Sequence, residues 1–263
     1  MDLNGARVLI TGATGGIGVA IAAAVAARGA SVVLSGRRAE ELDKVATRLG
    51  ARAVVADLAV PGGAEKLVED AGDLDVVIAN AALPGSGDLL DFSLPEIDRA
   101  LEVNLRAPIV LARLAGARMA ERGKGHLVFI NSLSGKAASG KAAMYNATKF
   151  GLRGFALALR ADMQERGVGV SSIYPGFVRD AGMFARSGAT LPRGVGTRSP
   201  EDVANAVVRA IERNIAETDV APLPVRLGAS FALIAPDLAN RVQGLLGADK
   251  VITELAAGQR DMR

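Results

Sequence analysis

The sequence predicts an α/β fold: one doubly wound domain, with a seven-stranded parallel sheet between two layers of helices. Three observations predict it. Short apolar runs such as Val8-Leu9-Ile10 and Leu127-Val128-Phe129-Ile130 alternate with helical patterns, as in strand–helix–strand units whose strands are buried on both faces. The 263 residues suit one domain with a large core. Hydrophobic residues make up 50% but aromatics only 3%, and glycines number 31, a composition suited to close helix-on-sheet packing.

Each element has its own signal. Arg7 to Thr11 reads as a buried strand. Thr11-Gly12-Ala13-Thr14-Gly15-Gly16-Ile17-Gly18 then opens a helix that ends near Arg28-Gly29. Glycines there let the backbone turn sharply and let a phosphate approach the free N–H groups of the helix start. Ser31 to Ser35 is the second strand, followed by Gly36-Arg37-Arg38. Glu40 to Leu49 is an amphipathic helix closed by Gly50. Arg52 to Ala56 is a third strand with Asp57 at its end, Gly63 to Ala71 a short helix, and Leu74 to Ala79 a fourth strand ending in Asn80-Ala81-Ala82. Right-handed crossovers bring these strand ends together at a switch point where ligands bind.

Leu83 to Asp91 is a loop. Ser93-Leu94-Pro95-Glu96 is a capping box that starts a helix running to about Arg122, with a kink expected at Pro108 and with Asn104 in its middle. Gly125 to Asn131 is the fifth strand and delivers Ser132. The Tyr145 helix ends near Gly167, and Val168 to Tyr174 is the sixth strand, followed by Pro175-Gly176. Phe177 to Arg198 reads as an irregular, Gly-rich stretch of the kind that forms active-site lids. Ser199-Pro200-Glu201-Asp202 starts a helix to about Asn214. Thr218 to Pro222 is the seventh strand, Ala235 to Leu246 a further helix, and the polar tail after Gly247 a loose end.

Composition excludes several functions. With no cysteine there is neither a disulfide nor a thiolate metal site. The single histidine, His126, cannot build a histidine-rich metal site and reads as a surface residue at a strand end; no metal is expected. The net charge is +3, with a pI of about 9.4, but Lys and Arg are scattered and not interleaved with aromatics, so no nucleic-acid footprint is visible. The uncharged run from Val8 to Ala27 is interrupted by glycines, which argues against a membrane span, and no basic leader marks a signal peptide. A cytoplasmic protein is expected.

The chemistry centres on Tyr145-Asn146-Ala147-Thr148-Lys149. On a helix, Tyr145 and Lys149 share one face, one turn apart. A free phenol titrates near ~10 and is a poor base at neutral pH. A fixed ammonium nearby is expected to lower that value by roughly 1 to 3 units. Tyr145 could then exchange a proton with an alcohol or carbonyl, with the Ser132 hydroxyl bonding the same oxygen. Where a dinucleotide-binding fold carries an acidic residue after the second strand it holds the ribose hydroxyls, whereas an arginine accommodates a 2′-phosphate; Arg37 and Arg38 therefore favour NADP(H), with NAD(H) the alternative.

In this order, the Thr-Gly-x-x-x-Gly-Ile-Gly stretch, the serine, Tyr-x-x-x-Lys and Pro-Gly resemble the short-chain dehydrogenase/reductase family, in its single-domain NAD(P)-dependent branch. The resemblance covers about residues 6 to 212. It implies a three-layer Rossmann-type fold over residues 1–263, with a variable substrate loop at about 177–198 and a weakly assigned region at 215–263. It implies that Asn104, Ser132, Tyr145 and Lys149 are catalytic, with Asn104 positioning a water for proton relay. It implies a cofactor held by Gly12, Thr14, Gly16, Ile17, Gly18, Arg37, Asp57, Leu58, Asn80, Tyr145, Lys149, Pro175, Gly176 and Val178. A homotetramer or homodimer paired through helices at 95–122 and 142–166 is implied as well.

The expected reaction is hydride transfer between NADP(H) and a carbonyl or alcohol. Leu83, Leu133, Phe177, Met183 and Phe184 would lie near the pocket and suggest an apolar small-molecule substrate. A non-catalytic NAD(P)-binding regulator, or an isomerase or dehydratase with tightly held nicotinamide, stays open as an alternative. Two departures stand out. The family's Asn-Asn-Ala-Gly is Ala79-Asn80-Ala81-Ala82 here, and Asp180 occupies a position where a threonine often binds the carboxamide; an ionised carboxylate cannot donate.

Overall fold

A computed structural model describes residues 1–191, 195–245 and 248–260. The strands are β1 (Arg7–Thr11), β2 (Ser31–Gly36), β3 (Arg52–Val55), β4 (Val76–Ala79), β5 (Gly125–Ile130), β6 (Val168–Pro175) and β7 (Glu217–Val220). They form one parallel sheet in the order β3-β2-β1-β4-β5-β6-β7. Neighbours β1 and β4 straddle the point where the strand order reverses, so their carboxyl ends open a crevice.

The helices are α1 (Gly16–Ala26), α2 (Ala39–Leu49), α3 (Gly63–Ala71), α4 (Leu94–Leu101), α5 (Ala107–Glu121), α6 (Ala143–Gln164), α7 (Gly182–Ser187), α8 (Pro200–Arg213), α9 (Leu223–Ile234), α10 (Pro236–Leu245) and α11 (Ala248–Gln259). Alternation along the strands divides the core between the two faces of the sheet. Val8, Ile10, Val128 and Ile130 pack with Ile21, Leu42, Val203 and Ile211 from α1, α2 and α8. Leu9, Leu127 and Phe129 pack with Leu67, Leu111, Met119 and Leu152 from α3, α5 and α6.

Several expectations are corrected. The helix expected from Ser93 to Arg122 is not one continuous α-helix. Instead a π-helical stretch, Glu102–Arg106, joins α4 to α5, and Pro108, which has no N–H to donate, follows it in the first turn of α5. His126 is buried, at 2% exposure. Its Nε2 lies 2.8 Å from Ser171 Oγ, whose own hydroxyl donates to Ile215 O at 2.5 Å, so Nε2–H is the donor. Burial pushes the His126 pKa down to about 3, which keeps the ring neutral. The seventh strand runs from Glu217 to Val220 instead of Thr218 to Pro222.

The stretch from Phe177 to Arg198 contains α7. Its ends are clasped by Arg179 N–H to Arg198 O and Arg198 N–H to Phe177 O, both 2.9 Å; the part of this stretch at 192–194 lies outside the described residues. The expected loose end after Gly247 is instead helix α11 over Ala248–Gln259. Gly258 of α11 sits so close to Ser187 that an added Cβ would come within 2.1 Å of its carbonyl oxygen. Thr190 N–H and Oγ1 bond Glu254 at 2.9 and 3.1 Å, and Lys141 Nζ bonds Thr253 at 3.1 Å. The expected end of a helix at Leu246 lies outside the described residues.

A largely buried ionic network ties β7 to the site. Lys136 Nζ lies 2.7 Å from Asp219 and 3.4 Å from Glu217, and 4.0 Å above the Tyr174 ring. Arg153 bonds Glu217 at 2.9 Å, and the Tyr174 hydroxyl donates to Glu217 at 2.5 Å. Removing one partner of such a pair leaves a buried charge uncompensated. Asp219→Ala is expected to lose about 3 kcal/mol in urea unfolding, with the loss largely recovered in a Lys136→Met/Asp219→Ala double variant.

Candidate active site

β5 ends at Ile130 and delivers Asn131 and Ser132. The chain then makes a tight turn, Leu133–Gly135, that packs on α6: a Cβ at Gly135 would lie 2.8 Å from both Asn131 Oδ1 and Lys149 O. Asn146 pins this turn from α6, its Nδ2 donating to Ser134 O at 2.8 Å and Ala137 O at 3.2 Å. The sequence shows Asn146 within the Tyr145 stretch without a role; an asparagine inside a helix, where its amide competes with the backbone, was the available signal.

α6 presents Tyr145 and Lys149 to the same space. The Tyr145 phenol hydrogen-bonds the Ser132 hydroxyl. Lys149 is buried and donates from Nζ to Ile130 O at 3.0 Å. Its ammonium stands 5.6 Å from the Tyr145 ring centre. The expected lowering of the phenol pKa is absent. Burial pushes Tyr145 up to about 12, with the Ser132 bond opposing, and burial pushes Lys149 down to about 8. The ammonium donates to the strand carbonyl, and desolvation remains the dominant influence on the phenol.

Asn104 lies within the π-helical stretch and is 1% exposed. Its Oδ1 accepts from Leu83 N–H at 2.7 Å and its Nδ2 donates to Leu83 O at 2.9 Å. It fixes the loop after β4, and one amide N–H and one oxygen lone pair remain beyond these two bonds. The loop runs on to Gly85, where a Cβ would come within 2.9 Å of Tyr145 N.

At the other end of the crevice lies the glycine-rich turn. Gly12 has φ +64, and a Cβ there would meet Ala81 Cα at 2.8 Å; at Gly18 it would meet Gly12 O at 2.5 Å. These two glycines serve the packing of the turn itself. Asn80 holds the turn, its Nδ2 donating to Thr11 O at 2.9 Å and Gly12 O at 3.2 Å. Gly15, not singled out from the sequence, caps α1 without a side-chain cap, and a Cβ there would meet only Gly12 O at 3.4 Å. Beyond β2, Arg38 reaches Thr14 Oγ1 at 3.4 Å and pairs with Glu41 at 2.6 Å, while Arg37 is exposed. Asp57 accepts from Ala59 N–H at 2.9 Å.

One cavity of about 670 Å³ joins the two ends. Gly12, Thr14, Gly16, Ile17, Gly18, Arg37, Asp57, Leu58 and Asn80 line one part, and Ser132, Tyr145, Lys149, Pro175, Gly176 and Val178 the other. Of the residues singled out for the site, Asn104 alone is outside the lining. Asp180 is outside it too: its carboxylate is 75% exposed, beside Arg179, on a backbone with φ +64. The apolar wall includes Leu83, Leu133, Phe177, Met183 and Phe184, as expected, and adds Val225 and Ala229 of α9 and Val251, Ile252 and Leu255 of α11.

The profile of the short chain dehydrogenase family matches residues 6–191. The chain belongs to this family. It is 34% identical over 259 residues to the ketoacyl reductase HetN of Nostoc sp., covering 93% of this chain and 90% of the relative. It is 33% identical over 226 residues to an uncharacterized oxidoreductase of Staphylococcus aureus, covering 82% and 96%. A solved short-chain dehydrogenase from Sphingobium yanoikuyae, in complex with NADPH, superposes with a TM-score of 0.75 at 29% identity, covering 92% of this chain and 95% of that one. This short-chain dehydrogenase is thus a dehydrogenase/reductase enzyme. No helix among its described residues is long and apolar enough to cross a membrane.

Proposed function

We propose that this enzyme transfers hydride reversibly between NADP(H) and an apolar ketone or aldehyde, acting in the cytoplasm. The observation that carries the reading is the single cavity shared by a glycine-rich helix start and the Ser132–Tyr145–Lys149 cluster. The residues fit a dinucleotide. The first turn of α1 has no side-chain cap and no acidic residue, so its N–H groups are available to a pyrophosphate. Arg37 and Arg38, in the cavity lining after β2, would meet a 2′-phosphate, and Asp57 and Leu58 would flank the adenine. Buried Asn131 Nδ2, on the cavity wall, has no partner among the described residues.

When bound, the nicotinamide supplies or accepts the hydride. Ser132 polarises the carbonyl by hydrogen bonding. Tyr145 gives its phenolic proton to the developing alkoxide and takes it back in oxidation. Lys149 keeps two N–H donors beyond its Ile130 bond, one for the cofactor's ribose, and its charge favours the phenolate. Asn104 acts through Leu83, holding the wall against which substrate packs. The altered Asp180 does not favour a non-catalytic reading, since its side chain lies outside the cavity. Copies of the chain pair through α4, α5 and α6, where Leu101, Phe150 and Leu157 are exposed.

Reduction of a panel of carbonyl compounds with NADPH tests the reading: aliphatic and aromatic ketones are expected to be turned over, and a preference for small sugars refutes the apolar assignment. An Arg37→Ala/Arg38→Ala variant is expected to lose about tenfold or more of its NADPH affinity and little of its NADH affinity, which fluorescence titration measures; each lost charge-assisted phosphate bond is worth about 1.5–3 kcal/mol. The pH dependence follows from Lys149. Its folded pKa lies below the unfolded one, so the charge needed for catalysis is present below pH about 8 and is lost above it. Turnover is expected to fall across that limb, and Lys149→Arg, which keeps its charge, is expected to abolish the fall in whatever activity it retains.

A further inference from the structure

α9 is apolar on both sides. At 3.6 residues per turn, Val225, Gly228 and Ala229 share one side, and all three line the cavity. The opposite side carries Leu223, Leu227, Phe231 and Ile234. Leu223 and Leu227 are each 61% exposed and Ile234 is 84% exposed. The exposed apolar surface continues onto α10 with Leu238 and Val242. A helix at the surface of a soluble fold normally turns a polar face outward, and a contiguous apolar patch marks an interaction surface.

Charge and continuity indicate what covers it. α9 holds no acidic residue, and its Arg226 is exposed. Asp237 is the sole acid between 223 and 245, and Arg241 of α10 is exposed. Arg186 adds an exposed cation at the cavity lining. This pairing of leucine-rich surface with arginine suits anionic headgroups above acyl chains. The same helix forms cavity wall on its inner side. A bilayer seated on its outer side leaves an apolar compound a short path inward, whereas a second copy of the chain has the apolar faces of α4 and α6 to meet.

We propose that the outer face of α9, continued by α10, docks on the surface of an anionic bilayer, from which apolar carbonyl compounds enter the cavity. The entry step rests on the reading under Proposed function; docking does not.

The test is co-sedimentation of the full chain with phosphatidylcholine vesicles and with vesicles containing phosphatidylglycerol. Binding to the anionic vesicles, weakened by salt, is expected. A Leu227→Glu/Ile234→Glu variant is expected to bind at least tenfold more weakly, because it removes two exposed apolar side chains from the docking face and sets two negative charges against anionic headgroups. Its melting temperature and NADPH affinity are expected to stay unchanged. Arg226→Glu, at an exposed position, is expected to weaken binding to the anionic vesicles alone. Absence of binding to either vesicle overturns the proposal, as does equal binding by the variants. A mass that falls from dimer to monomer in the Leu227→Glu/Ile234→Glu variant, without vesicle binding by the parent, assigns the face to a second copy and also overturns it. Vesicle binding without NADPH binding sinks the reductase reading and leaves docking standing.

Discussion

Tyr145→Phe is expected to lower turnover by about 10²- to 10⁴-fold, the range for removing a positioned proton donor. The phenylalanine ring keeps the wall between Gly85 and the cavity, where the close approach of the Gly85 loop involves the Tyr145 backbone and Cβ. What disappears is the hydroxyl and its bond to Ser132. NADPH affinity is therefore expected to stay within a few-fold, and the melting temperature to hold. At a phenol pKa raised by burial to about 12, the group is a proton donor throughout the neutral range. That suits carbonyl reduction, and it makes oxidation depend on cofactor and substrate bringing more positive charge to the oxygen. Unchanged turnover in Tyr145→Phe would remove Tyr145 from the chemistry.

Lys149→Met is the second large effect. The substitution preserves the stem that fills the space under α6 and removes a buried cation whose partner among the described residues is the Ile130 carbonyl. Desolvation already costs this ammonium part of its proton affinity, so the fold alone gains nothing from the charge. Thermal stability is expected to rise or stay level. Turnover is expected to fall about 10²-fold or more, and NADPH affinity to weaken, because one residue serves both proton chemistry and cofactor. Stability that rises while activity collapses marks a charge kept for function. Retained activity at neutral pH would contradict the assignment.

Much of this was readable from the chain because the physics is local. β1 and β5 announce themselves as continuous apolar runs, since both of their faces are buried. Tyr145 and Lys149 fall on one helix face by spacing alone. The capping box read at Ser93 and the helix start read at Ser199-Pro200 begin α4 and α8 as expected, and in the structure both carry the two reciprocal capping bonds. The failures come from partners distant in sequence. His126 looked exposed because its acceptor, Ser171, stands on the neighbouring strand. The bonds between Asn104 and Leu83 could not be read because Leu83 reaches it from another loop. The Lys149 ammonium was expected at the phenol, but the Ile130 carbonyl captures it. α9 escaped notice because Pro224, Gly228 and apolar residues on both faces erase the amphipathic period that marks a surface helix. α11 was read as a loose tail because its anchors, Ser187, Thr190 and Lys141, lie far back in the chain.

The most direct test of hydride transfer uses NADPH carrying deuterium at the transferable position of the nicotinamide. The labelled cofactor is incubated with the enzyme and an apolar ketone, and the product is weighed by mass spectrometry. The account predicts an alcohol bearing a single deuterium on the carbinol carbon, formed at the rate of NADPH consumption and lost in Tyr145→Phe. An alcohol without label, or no alcohol from any apolar ketone while NADPH binds tightly, would contradict it.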